Sequence, residues 1–320
     1  MKTGLFVGAI TLDLVYLVGQ FPSANQKVVA SDRTIAAGGP ATNAAVAFSA
    51  LGNRGTAMGV LGCHPIAELI RSDLASCGVE IVDLQPDRPD PPTVASIVVT
   101  ESTGERSVIS TKIATPQRSR NLSLPNLPQK TQPHPRNNPQ TDALDKIDVV
   151  LIDGHQMDAS ESIARQAKER GIPVVIDGGS WKPGFDLVLR WADYAICSAN
   201  FFPPNYQIES SYNNNKKRDE VFYYLQNLGI PQIAITDGEN PIQAWTQGQR
   251  FQVEVPQIQA VDTLGAGDIF HGAFCHYILQ QNFAEALKSS ARIAADSCQS
   301  FGTRHWIELR EGRSGEMKHH

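Results

Sequence analysis

Five short runs of nearly unbroken apolar residues, at 5–10, 149–153, 173–177, 194–198 and 232–236, constrain this chain more than any other feature. Each is too short for a core helix and too uniformly apolar for a half-exposed strand, so each reads as a strand buried on both faces. Helical stretches at 41–51, 159–170, 217–228 and 284–301 alternate with them. That alternation predicts an α/β fold with a mostly parallel central sheet covered on both sides. Ligands in such sheets bind beyond the carboxyl ends of the strands. Asp153, Asp177 and Asp237 all fall at those ends.

The string Val261-Asp262-Thr263-Leu264-Gly265-Ala266-Gly267-Asp268-Ile269-Phe270 sets a small-residue turn before an apolar helical run. Gly265 and Gly267 allow backbone N–H groups to converge without Cβ interference. The start of the next helix adds free donors and the positive dipole end, so Gly265, Ala266 and Gly267 form an anion hole suited to phosphate. An acid beside bound phosphate is costly for affinity. Asp268 therefore reads as a group that takes a proton from an attacking hydroxyl. A second small-residue segment, Gly38-Gly39-Pro40-Ala41-Thr42-Asn43, opens a helix that ends near Gly52. Its glycines admit close approach of a ligand, and the Asn43 amide can both donate to and accept from a hydroxyl.

These two strings, in this order, resemble the two motifs of the ribokinase-like (PfkB) carbohydrate kinases. The resemblance implies a three-layer ribokinase-like fold with a small β-sheet lid, ATP with Mg²⁺, and a sugar acceptor. It implies that Asp13, Gly38, Gly39 and Asn43 bind sugar, with Asp153 and the lid residue Lys27 as further substrate contacts. Asn200, Thr236, Gly238, Thr263, Gly265, Gly267, Ala294 and Cys298 are the expected nucleotide contacts. Asp262 is the expected neighbour of a monovalent cation such as K⁺. The family's N-x-x-E motif is incomplete: Asn200 is followed at the fourth position by Pro203 instead of Glu. Magnesium is then expected to be held mainly by phosphates and water, with Asp237 near metal-bound water. The Gly-Gly-Pro-Ala run, Lys27, the missing Glu and Asp-Ile-Phe-His-Gly look closest to ketohexokinases and sulfofructose kinases.

The expected organisation is a large α/β unit (1–14, 38–92 and 111–310), a β lid (15–37 and 93–110) and a polar tail (311–320). Residues 96–100 and 107–110 form a hairpin in the lid, through which the family often pairs two subunits. A homodimer is the expectation here. Residues 115–140 carry six prolines with many polar residues and read as a surface insertion.

Net charge is −5 and no basic stripe stands out, so nucleic acid is not an expected partner. Five scattered cysteines without C-x-x-C spacing suit reduced thiols in the cytoplasm. No run of 18 apolar residues offers a membrane span. Neither Walker A, G-x-G-x-x-G after the first strand, H-E-x-x-H nor G-x-S-x-G is present. The reading is a kinase that phosphorylates a primary hydroxyl of a sugar. The alternatives are a nucleoside kinase of the same fold and a sugar- or nucleotide-binding regulator with impaired catalysis.

Overall fold

The structure is a computed structural model that describes residues 1–115, 144–204 and 214–316. Most of the expected 115–140 insertion lies outside the described residues.

The first strand, β1 (Thr3–Val7), starts the large sheet. β2 (Thr11–Val18) and β3 (Asp32–Gly38) leave it, and the chain returns through α1 (Pro40–Ala50) to β4 (Arg54–Gly59), α2 (Ala67–Ser76) and β5 (Val79–Asp83). β6 (Thr93–Thr100) and β7 (Arg106–Ser110) then join β2 and β3 in a second sheet of order β3-β2-β6-β7. Strand and helix alternate next: β8 (Val149–Ile152), α3 (Met157–Glu169), β9 (Val174–Gly178), α4 (Phe185–Leu189), β10 (Tyr194–Ser198), α5 (Asn214–Asn227) and β11 (Gln232–Asp237). An antiparallel edge, β12 (Asn240–Thr246) and β13 (Gln249–Val253), is followed by α6 (Ala266–Tyr277), α7 (Phe283–Ser297) and α8 (His305–Glu316).

The large sheet has nine strands in the order β13-β12-β11-β10-β9-β8-β1-β4-β5, parallel from β11 to β5. Alternate residues of each strand enter opposite layers. Phe6, Leu151, Val175 and Ile196 pack with α1, α6 and α7, while Leu5, Val150, Ile176 and Cys197 pack with α3, α4 and α5. The strands are buried on both faces because both layers need apolar partners, and this is the expected ribokinase-like three-layer arrangement. Strand order reverses between β1 and β8, so the crevice beyond their carboxyl ends is where this fold opens a ligand site.

Several boundaries differ from expectation. The run expected as one strand over 5–10 stops at Val7, and the smaller sheet already begins at Thr11, inside the expected large unit. Gly8 permits the break, since a Cβ there would fall 2.1 Å from the Asp153 carboxylate. Helix α7 ends at Ser297 instead of 301. Ser297 Oγ donates to the Ala294 carbonyl, and the Cys298 carbonyl accepts from Val261 N–H, so the chain after α7 is tied to the loop before α6. Part of the expected polar tail is helical, because α8 runs to Glu316.

Candidate active site

Helix α1 is built from Ala, Val and Phe and is buried along most of its length. It lies against α6 at a distance that only small residues allow: a Cβ at Gly272 would stand 2.2 Å from the Ala44 carbonyl oxygen. This close approach brings Asn43, on α1, to Asp268, in the first turn of α6. Asn43 Nδ2 donates to Asp268 Oδ2 at 2.9 Å.

Gly265 caps α6 with φ +72°, a left-handed conformation, and a Cβ there would crowd Thr303 Cγ2 at 2.9 Å. Nothing would stand within 4 Å of a Cβ at Gly267, so the backbone beyond the turn faces open space. Ala266, Gly267 and Asp268 are the first three residues of the helix; Ala266 N–H donates back to the Thr263 carbonyl at 3.3 Å, and the N–H groups of Gly267 and Asp268 have no intrahelical acceptor. The half-buried Asp268 carboxyl is pushed up to about 7, first by burial and then by the negative charge of Asp177. The Asn43 hydrogen bond and His271 pull the other way.

Asp13 is buried on β2, accepts from Thr11 Oγ1 at 2.7 Å, and is raised by burial. Gly38, on the neighbouring strand, leaves room for it: a Cβ there would lie 2.0 Å from Asp13 Oδ2. Gly39 holds φ +97° against the Ala9 carbonyl, where a Cβ would fall at 2.4 Å. Asp13, Gly38, Gly39, Asn43 and Asp268 thus gather at the end of the sheet where β1 and β8 diverge. The inner face of the smaller sheet (Val15, Ala95, Ile97 and Val99) packs on Leu264 and Phe301 beside them.

On the other side of the α6 start lies a cavity of about 500 Å³. Thr236, Gly238, Thr263, Gly267, Ala294 and Cys298 line it, together with apolar Ile242, Val255, Ile258 and Phe270. An apolar slot that ends at free helix N–H groups fits a nucleotide with its base in the slot and its phosphates at the turn.

The remaining expected residues have partners and positions of their own. The Asp153 side chain is fully buried, and it accepts from the backbone N–H groups of Ala9 (2.9 Å), Ala41 (3.1 Å) and His155 (2.9 Å). His155 and these hydrogen bonds hold its carboxyl below the usual range despite burial. It clamps β8 to the β1 end and to α1, as a structural brace does. Asp262 is also committed: Oδ1 accepts from Leu264 N–H at 2.8 Å and Oδ2 from Gly302 N–H at 2.9 Å. These two bonds brace the turn before α6, and among the described residues no group of three or more His, Cys, Asp or Glu is placed to hold a metal ion. Asp237 is paired with Arg218 and accepts from Asn240 Nδ2. Asn200 is exposed just after β10, and Lys27 is exposed in the connection between β2 and β3.

Two residues that the sequence reading did not place in the site, His271 and Arg106, belong to it, and Arg304, in the segment after α7, reaches it as well. His271, one helical turn after Asp268, sets Nδ1 2.7 Å from the Gly267 carbonyl and Nε2 3.2 Å from the Ile196 carbonyl. It fastens the first turn of α6 to β10, beside Asp177 at 3.6 Å. Arg106, on the smaller sheet, donates to Thr263 Oγ1 (2.8 Å) and to its carbonyl (3.2 Å). Arg304 donates to Asn43 Oδ1 at 3.2 Å. The i, i+3 spacing of Asp268 and His271 was a legible signal, whereas the two arginines meet their partners across more than 150 residues.

A mostly parallel sheet, a smaller sheet over its switch point, and a glycine-turned helix start between a polar pocket and an apolar slot define a phosphotransferase of small molecules. The chain belongs to the pfkB family of carbohydrate kinases, whose model matches residues 1–309. It is a kinase, and its family implies ATP-dependent phosphorylation of a sugar or nucleoside. The chain is 24% identical over 312 residues to a ribokinase of Bacillus subtilis, covering 97% of both chains. It is 25% identical over 305 residues to a deoxyribokinase of Salmonella typhi, covering 93% of this chain and 92% of the relative. In fold it is similar to a putative ribokinase from Agrobacterium tumefaciens (TM-score 0.76, 23% identity, 98% and 99% of the two chains). It is also similar to Arabidopsis thaliana ribokinase complexed with ribose and ATP (TM-score 0.68, 20% identity, 96% and 98%). No helix among the described residues is long and apolar enough to cross a membrane.

Proposed function

We propose that this kinase transfers the γ-phosphoryl group of ATP to a primary hydroxyl of a sugar, with Asp268 as general base. One observation carries the reading: Asp268 stands at the free N-terminus of α6, between the polar pocket and the apolar slot, with its carboxyl raised to about 7. A base of that strength is half ionised near neutrality and well matched to a hydroxyl proton. Asp13, Asn43 and the backbone of Gly38 and Gly39 hold the sugar and turn its hydroxyl toward Asp268. The backbone of Gly265, Ala266 and Gly267 faces the charge that develops on the transferring group. Thr236, Gly238, Thr263, Ala294 and Cys298 line the nucleotide slot, and Asn200 stands outside it. Magnesium bound with ATP neutralises phosphate charge and takes its ligands chiefly from phosphate and water.

Lys27 is the residue we assign to an anionic substituent on the sugar. The outer face of the smaller sheet supports the dimer reading: Tyr16, Ile35 and Ile109 share it through the β2–β3 and β6–β7 registers and are exposed. Light scattering on a size-exclusion column tests this, with a twofold mass expected and a single-chain mass against it.

The function itself is tested by ADP release with MgATP across ketoses, aldoses, acidic sugars and nucleosides. A sugar hit that Asp268→Asn eliminates supports the reading. A hit confined to nucleosides, or none at all, contradicts it.

A further inference from the structure

Arg304 stands one residue before α8 and is largely buried. It is the hub of the polar contacts behind the site. Nη2 donates to the Ala37 carbonyl at 2.6 Å and to Asp73 Oδ2, on α2, at 3.2 Å. Nη1 donates to Thr303 Oγ1 at 3.0 Å, to the Thr303 carbonyl at 3.3 Å and to Asn43 Oδ1 at 3.2 Å.

The last contact has a consequence for the base. A guanidinium can only donate, so the atom of Asn43 that faces it must be the amide oxygen. The amide NH₂ is then obliged to point the other way, onto Asp268 Oδ2. A reversed amide would set an oxygen against the Asp268 carboxylate, an arrangement tolerable only when Asp268 carries a proton.

We propose that Arg304 is a positioning residue for phosphoryl transfer: by claiming the Asn43 oxygen it holds the Asn43 NH₂ on Asp268 and keeps the base ready to receive a proton. The inference rests on the reading of Asp268 as base. The charged and titratable groups facing Asp268 are Asp177 from β9, Asp13 from β2 and His271 from α6, with Asn43 from α1. Those facing Arg304 are Asp73, Cys77 and Asp13. Asp177 and Asp13 oppose ionisation of Asp268, and the oriented amide favours it.

A residue that merely ties α2, β3 and α8 together would lower thermal stability and depress turnover equally at every pH. The test is kcat/KM against pH, with the thermal midpoint, for Arg304→Met and Arg304→Lys. In Arg304→Met the acid limb is expected to move up by about one pH unit, so activity falls about tenfold at pH 6 and much less at pH 8.5. Arg304→Lys keeps a donor for Asn43 and is expected to leave the limb within about a third of that shift. Should Arg304→Met fail to fold, Arg304→Gln serves, being polar but too short to reach Asn43, and the same shift is expected. An unmoved acid limb in a folded Met or Gln variant overturns the proposal, whatever the thermal midpoint does. Asp268→Asn separates the two claims. If it retains turnover, the base reading itself fails; if it is inactive and the limb does not move, only the role of Arg304 fails.

Discussion

Asp153, buried, and Asp268, half-buried, are two carboxyls at the same end of the sheet, and their surroundings treat them in opposite ways. Asp153 receives three backbone N–H groups and an imidazole, and its carboxyl is held down. Asp268 receives one side-chain amide, faces two other aspartates, and its carboxyl is pushed up to about 7. A fully satisfied carboxylate fixes the chain that surrounds it, whereas an under-satisfied one retains free capacity for a proton. The difference separates a brace from a base more sharply than burial or position does.

The comparison can be broken most directly by exchanging each carboxyl. Asp268→Asn is expected to lower turnover by at least about 10²–10⁴-fold while nucleotide binding persists, as measured by ADP release and calorimetric titration. Asp153→Ala leaves three backbone donors without their acceptor. A loss of about 3–5 kcal/mol in denaturant unfolding is expected, with any surviving folded enzyme still active. Little loss of stability there, with a rise in sugar KM, would return Asp153 to the substrate site.

Stability against pH sharpens the contrast further, because the two shifts have opposite signs. Asp268 is raised in the folded state, so it binds protons that the unfolded chain has released. The folded enzyme therefore loses stability as pH rises from about 4 to about 7. Asp153 is lowered, so its contribution is present above the ordinary carboxylate range and is lost as pH falls through its folded value. Asp268→Asn is thus expected to be more stable than the unaltered chain at pH 8, by roughly 1–3 kcal/mol, and to lose that advantage near pH 4. The smallest expected effect is at Arg106. Arg106→Ala removes the contact between the smaller sheet and Thr263, and the KM for ATP should rise about two- to fivefold with kcat nearly constant.

Much of this was legible in the sequence. Short apolar runs announced strands buried on both faces, and the two glycine strings led to Asn43 and Asp268 because backbone freedom and residue chemistry are local properties. Asp153 ends a strand as Asp177 does. What distinguishes them is the pair of N–H groups from Ala9 and Ala41, which only tertiary packing delivers. Asp262 followed the same pattern, since its partner at Gly302 lies 40 residues away. Arg304 meets Asn43 across 261 residues, and no periodicity or spacing encodes such a contact. His271 was in plain view, one turn beyond Asp268. Its role became apparent only when β10 presented the Ile196 carbonyl.

The central claim is that Asp268 is a base poised near neutrality. The measurement that tests it most directly is kcat/KM for a neutral sugar against pH, at saturating MgATP, with Asp268→Asn measured alongside. The account predicts a rate that rises about tenfold per pH unit and levels off near pH 7, over an Asp268→Asn baseline that is low at every pH. A rate flat from pH 5.5 to 8.5, or an Asp268→Asn variant that follows the unaltered enzyme, would contradict it.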